Sequence, residues 1–123
     1  MTDKRHDLGR RGEDLPASYL KKAGYKIVER NHANAIGELD LVALDGVTVV
    51  LVEVKTRSGI SRSPSEAVDY RKRLKLTKVA TLYLKCKGWI ERPARFDVVE
   101  VISPPGTAPL IRHIKNAFEA AAY

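Results

Sequence analysis

Three side chains in the middle of the sequence have types and spacing that could do chemistry together: Asp40, Glu53 and Lys55. They lie in two apolar, strand-like runs, Gly37 to Leu44 and Val47 to Thr56, joined by Asp45-Gly46, a strong two-residue hairpin signal. With that loop Leu44 pairs with Val47, which sets Asp40 opposite Leu51 and Glu53 opposite Glu38. Directly paired residues point to one face, so Asp40 and Glu53 become diagonal neighbours there. Lys55 follows Glu53 by two residues and joins them. Near the turn both faces are apolar, with Val42, Val49 and Leu51 on one and Leu41, Val50 and Val52 on the other. The charges therefore gather at the end of the pair away from the turn.

Two carboxylates about 5 Å apart repel by roughly 3 kcal/mol at an effective dielectric of about 20. Lys55 offsets part of this, and a divalent cation is the simplest addition. Mg²⁺ characteristically takes one or two carboxylates and fills its remaining positions with water and phosphate. The plainer alternative is that the strand ends emerge into solvent and carry ordinary surface charges. Glu38 is either an auxiliary ligand or a solvent-facing acid.

The elements that must position these residues can be read from periodicity. Arg10 to Ala23 has Leu15, Tyr19 and Leu20 at helical spacing and stops at Gly24. Pro16 either kinks this helix or falls in the first turn of a regular part that begins near Asp14. Tyr25 to Asn31 alternates as a strand, His32 to Ile36 reads as a loop, and Arg57 to Ser65 reads as a surface loop. Ser65 is a candidate cap for a long helix running to about Lys87 and stopped by Gly88. Arg95 to Ile102 is a fourth strand and Leu110 to Ile114 a short fifth, with a fraying helix expected over Asn116 to Tyr123. The order predicts an α/β sandwich in one domain over residues 1–123, with a mixed central sheet of five strands between helices.

On a helical wheel the long helix shows an apolar stripe of Val68, Leu76, Val79, Ala80, Tyr83 and Cys86. Lys72 falls in the middle of that stripe and Lys75 on its edge, while Arg71, Lys78 and Lys85 lie on the polar side. A lysine within an apolar stripe calls for snorkelling or an anionic partner. Lys72 would thus touch phosphate or brace Glu53. The segment from Ser65 to Lys87 holds seven basic and two acidic residues, most of the net charge of the whole chain, which is +7 from 22 Lys and Arg against 15 Asp and Glu. Such a balance draws a protein to polyanions, nucleic acid before acidic membrane surfaces.

Composition excludes other classes. Cys86 is the only cysteine, which rules out an intramolecular disulfide and a multi-cysteine metal site. It reads as a small buried helix residue. His6, His32 and His113 have no ligand spacing to one another. Met1 to Arg11 contains no apolar signal-peptide core, and the longest strongly apolar stretch, Val47 to Val54, is too short to span a bilayer. A reducing, cytoplasmic setting without a membrane partner is expected.

Gly37-Glu38-Leu39-Asp40-Leu41, the hairpin and Val52-Glu53-Val54-Lys55-Thr56-Arg57 resemble the D…(E/Q)-x-K core of the restriction-endonuclease-like superfamily. More narrowly, the chain resembles the small bacterial YraN family of predicted endonucleases, themselves similar to archaeal Holliday-junction resolvases. The likeness runs through Gly9-Arg10-Arg11-Gly12-Glu13, Gly24-Tyr25, Arg30-Asn31, Ala67-Val68, Lys72 and Arg95-Phe96-Asp97-Val98-Val99. It ends at His113-Ile114-Lys115-Asn116-Ala117-Phe118, covering nearly the whole sequence. The resemblance implies a restriction-endonuclease-like sandwich in which Asp40 and Glu53 hold Mg²⁺ or Mn²⁺ and Lys55 is the catalytic lysine. Glu13 matches a glutamate that completes such sites from the N-terminal helix. Pro16 departs from the pattern there and bears on the pose of Glu13. The expected activity is metal-dependent cleavage of nucleic acid, DNA and branched DNA foremost, with Lys72, Arg57, Arg71 and Lys75 as backbone contacts. The alternatives are a catalytically silent nucleic-acid-binding module or a subunit of a DNA-processing assembly. Assembly as a homodimer is left open.

Overall fold

A computed structural model of the chain describes residues 14–58 and 69–119. A helix α1 (14–22) is followed by β1 (Lys26–Ala33), β2 (Glu38–Asp45) and β3 (Thr48–Arg57). After α2 (Tyr70–Lys87) come β4 (Ala94–Ile102) and β5 (Leu110–Phe118). The five strands make one sheet in the order β1-β2-β3-β4-β5. Neighbours are antiparallel except β3 and β4, which run parallel and are connected through α2. A parallel step needs such a crossover, because no tight turn can return the chain to the same end of the sheet.

The sheet is covered on both faces, as its apolar strand centres demand. On one side Val42, Val49, Leu51, Phe96 and Val98 pack against Leu76, Val79, Ala80, Tyr83 and Leu84 of α2. On the other, Leu41, Ala43, Val50, Val52 and Val99 pack with Tyr25 and with Ala17 and Leu20 of α1. The mixed, helix-flanked sheet of five strands predicted from the sequence is thus the observed architecture. Pro16 is buried within α1, near its first described residue, in keeping with a regular helix from about residue 14.

The structure corrects several details. The hairpin turn is Gly46-Val47 rather than Asp45-Gly46, with Asp45 paired to Thr48 and Leu44 to Val49. Gly46 has φ 62°, and glycine at the first central position suits a tight hairpin. The register moves by two residues, which preserves which side chains share a face. β1 continues to Ala33 by pairing His32 with Leu39 and Ala33 with Glu38.

The cap of α2 is Asp69, whose carboxylate accepts from Lys72 N–H at 2.9 Å; Ser65 lies outside the described residues. Cys86 is exposed, because the stripe centres on Leu76, Ala80 and Tyr83 and takes in Thr77 and Leu84 on the side away from it. The last strand does not give way to a helix at Asn116. That residue takes φ 51° and donates its N–H to Asp97 Oδ1 at 2.9 Å, next to a register shift between Phe96 and Val98. The bulge lets β5 run on to Phe118, which stacks on Phe96.

Candidate functional site

β2 and β3 pair from the turn as far as Leu41 and Val52. Beyond that point β2 stays with β1 to Glu38, and β3 stays with β4 to Arg57. The two strands therefore fork, and one further step of their register places Asp40 across from Glu53. At the fork the Val54 N–H donates to Asp40 Oδ2 at 2.8 Å, so a side-chain oxygen takes up an amide that the strand pairing no longer serves. Among the described residues no donor reaches the other Asp40 oxygen, Oδ1.

The fork opens into a pocket of about 390 Å³ lined by Gly37, Glu38, Asp40, Glu53, Lys72, Lys75, Leu76 and Val79. α2 forms its other wall. It comes close because residue 37 is glycine: a Cβ there would stand 3.0 Å from Val79 Cγ2 and 3.1 Å from Lys75 Cε. At Glu53, on the pocket wall, two ammonium groups share one carboxylate oxygen. Lys72 Nζ is 2.6 Å from Glu53 Oε1 and Lys55 Nζ is 3.3 Å from the same atom. Lys72, predicted to touch phosphate or brace Glu53, here braces Glu53.

Burial raises the Asp40 carboxyl above its ordinary 3.8, and the Glu53 charge adds to this against the Val54 N–H and the two lysines. Lys55 is pushed below the usual lysine range, first by burial and then by the neighbouring Lys72 ammonium. For Lys72, burial acts downward but is outweighed by the Glu53 carboxylate, and its pKa is raised. The arrangement could take a cation and a phosphate: two acids stand together, with two ammonium groups beside them.

Among the described residues no three His, Cys, Asp or Glu side chains converge as a metal cage. A divalent ion would rest on Asp40 and Glu53, with Glu38 at the pocket rim and non-protein oxygens elsewhere. That set of hard oxygen donors fits Mg²⁺ or Mn²⁺.

Other expected site residues are distributed as follows. Lys75 lines the pocket and Arg71 is exposed on the first turn of α2. Arg57 lies outside the pocket, with its Nε 3.1 Å from Oε2 of the fully buried Glu100. That contact has the distance of an ion pair without the angles of a hydrogen bond. Glu13 lies outside the described residues.

Two buried carboxylates in β4 escaped the sequence reading. Glu100 pairs in register with Lys55 of β3, so it stands one strand from the site. Asp97 points to the opposite face, where Arg95 Nε approaches at 3.0 Å and His113 Nε2 at 2.7 Å. Charged residues inside the run Phe96-Asp97-Val98-Val99-Glu100-Val101 were the available signal, since acids in a central strand must be paired. A second cavity, about 270 Å³, lies between α2 and the ends of β4 and β5 among Leu51, Ala80, Leu84, Phe96 and Phe118; it holds no facing pair of acids.

Comparison with known proteins places this architecture in a family. The model described as "Uncharacterised protein family UPF0102" matches residues 12–101, which include every strand of the fork and all of α2. A UPF0102 protein of Caldanaerobacter subterraneus is 44% identical over 114 residues, covering 90% of this chain and 93% of its own length. Another, of Geobacter sulfurreducens, is 46% identical over 115 residues, covering 93% and 90%. A third, of Stutzerimonas stutzeri, is 46% identical over 114 residues, covering 91% and 94%. The chain belongs to the UPF0102 family.

Proposed function

We propose that this protein is a metal-dependent endonuclease that hydrolyses phosphodiester bonds in nucleic acid, with DNA, branched DNA included, as its substrate. The observation that carries this reading is the fork itself: Asp40 and Glu53 brought together in one basic-walled pocket, with Lys55 and Lys72 on a single Glu53 oxygen. Its order along the chain fits the D…E-x-K core of restriction-endonuclease-like nucleases.

Asp40 and Glu53 would hold the ion, and a bound Mg²⁺ or Mn²⁺ supplies an activated water and charge stabilisation at phosphorus. The chain's own groups do the rest. The Val54 N–H holds Asp40 through Oδ2, so that Oδ1 would serve the ion. Lys55, held in the sheet beside Glu53, orients the attacking water or neutralises charge developing on phosphate. Lys75 and Arg71, on the first two turns of α2, supply cations for flanking phosphates. Among the described residues no helix is long and apolar enough to cross a membrane.

The rival reading is a binding module or assembly subunit without turnover. The pairing of Lys55 and Lys72 with one Glu53 oxygen, which offsets that carboxylate without an ion, favours it. Cleavage assays with Mg²⁺ and Mn²⁺ on single-stranded, double-stranded and branched DNA separate the two. We expect divalent-dependent cleavage that Glu53→Ala and Lys55→Ala both abolish. Lys55→Ala should lower affinity only slightly, since about one phosphate contact disappears. Binding without cleavage on every substrate establishes the rival.

A further inference from the structure

Lys72 and Lys55 contact the same oxygen of Glu53, yet they are held differently. Lys55 projects from the sheet, and its side chain is 21% exposed. Lys72 projects from the first turn of α2, is 38% exposed, and makes the shorter contact, 2.6 Å against 3.3 Å. A lysine on a flexible four-carbon stem with a path to solvent can leave its partner and be rehydrated; one packed within a strand cannot do so as readily.

The first turn of α2 favours an anion beside Lys72. Arg71, Lys72 and Arg73 crowd the positive end of the helix dipole, and beyond the Asp69 cap that turn carries no acidic residue. Cations are unfavourable at a helix N-terminus. Glu53 relieves this for Lys72 in the structure, and a phosphate group would relieve it equally well.

Charge balance then links the two partners. With Asp40, Glu53, Lys55 and Lys72 ionised, the pocket is neutral. A divalent cation among these groups makes it doubly positive and sets the ion against Lys72 for the same Glu53 oxygen. We propose that Lys72 is a displaceable stand-in for the divalent cation. It occupies Glu53 while the ion is absent, yields that oxygen when the ion arrives, and turns to the phosphate of the incoming nucleic acid. Metal and nucleic acid would thereby each raise the affinity for the other. The inference rests on the metal-nuclease reading and adds to it a coupling between the two ligands.

The test is direct titration of the protein with Mn²⁺ alone, by calorimetry, without nucleic acid. A partly exposed ion pair contributes about 1 kcal/mol. Removing the competitor in Lys72→Met should therefore tighten Mn²⁺ binding about fivefold over the wild type. Lys72→Arg keeps a cation on Glu53 and should bind Mn²⁺ within about twofold of the wild type. Glu53→Ala should lose the binding. Lys72→Gln serves the same purpose if the methionine variant fails to fold. If the wild type binds Mn²⁺ and Lys72→Met binds it equally or more weakly, Lys72 is a fixed brace that orients Glu53, and this inference falls while the nuclease reading stands. If neither protein binds Mn²⁺, both fall.

Discussion

Two aspartates, on β2 and on β4, show how one residue type is given opposite tasks by its surroundings. Asp40 has one backbone donor and an acid for a neighbour, and burial holds its carboxyl high. Asp97 is completely buried on the other face. Burial alone would raise it too, but His113, the Asn116 N–H and Arg95 outweigh that and hold it below the ordinary 3.8. Arg95 reaches on to Asp45 and to the Tyr25 hydroxyl, tying the turn end of β2 and the start of β1 to β4. Asp97 is thus a structural anchor, whereas Asp40 is the residue proposed to meet a ligand.

The anchor has a signature in pH. A carboxyl whose folded pKa is depressed adds stability in full above its unfolded value, and loses it as pH falls through the lower folded value. Asp97→Asn should destabilise the protein by about 3 kcal/mol at neutral pH, since it removes the buried carboxylate on which Arg95, His113 and the Asn116 N–H converge. The deficit should shrink below pH 3.8, where the unfolded aspartate becomes protonated first. Denaturant melts of both proteins at neutral and acid pH check this. A deficit that is the same at both would mean that Asp97 acts through shape alone.

At the scale of elements, the site is a product of strand geometry. β2 and β3 separate after Leu41 and Val52, and α2 lies against the opening because Gly37 lets it approach. Part of this was legible in the sequence. Asp40 and Glu53 share a face by parity, and parity survives a register shift of two residues. Lys72 in the apolar stripe of α2 correctly signalled an anionic partner.

The fork was not legible, since the sequence marks where strands are but not where they part. Nor was the cap of α2: Ser65 and Asp69 are both good capping residues, and only the position of the helix against the sheet selects between them. The strand that continues past Asn116 depends on a hydrogen bond from the Asn116 N–H to Asp97, a long-range contact that local periodicity cannot register.

α2 also gives the molecule its basic outer face. Arg71, Lys78 and Lys85 recur every seven residues and are all exposed. Replacing the three together by Ala should flatten the dependence of log affinity on log salt by up to about three units. Anisotropy titrations of labelled duplex DNA across a salt series read the slope. An unchanged slope would move the nucleic-acid track away from this helix.

At the scale of the whole molecule, the proposed site makes the acids in the fork a standing cost to stability that a bound cation would remove. Without metal, Asp40 and Glu53 repel one another across a pocket that Lys55 and Lys72 only partly neutralise. Contact with water keeps that repulsion near about 1 kcal/mol. Asp40→Asn keeps the oxygen that accepts the Val54 N–H and removes one charge, so in EDTA the variant should melt higher than the wild type. This is the trade expected of a site shaped for activity rather than for stability. Metal should reverse the order. Free Mn²⁺ at about 100 times its dissociation constant stabilises a protein that binds it by roughly 2.7 kcal/mol, and the variant, with one ligand weakened, should gain much less. Two melting curves for each protein, one in EDTA and one in Mn²⁺, are sufficient. If Asp40→Asn melts lower in EDTA and the wild type is indifferent to Mn²⁺, then Asp40 serves as the acceptor that seals the fork between β2 and β3. The pocket would then be a basic cleft for nucleic acid with no ion at its centre.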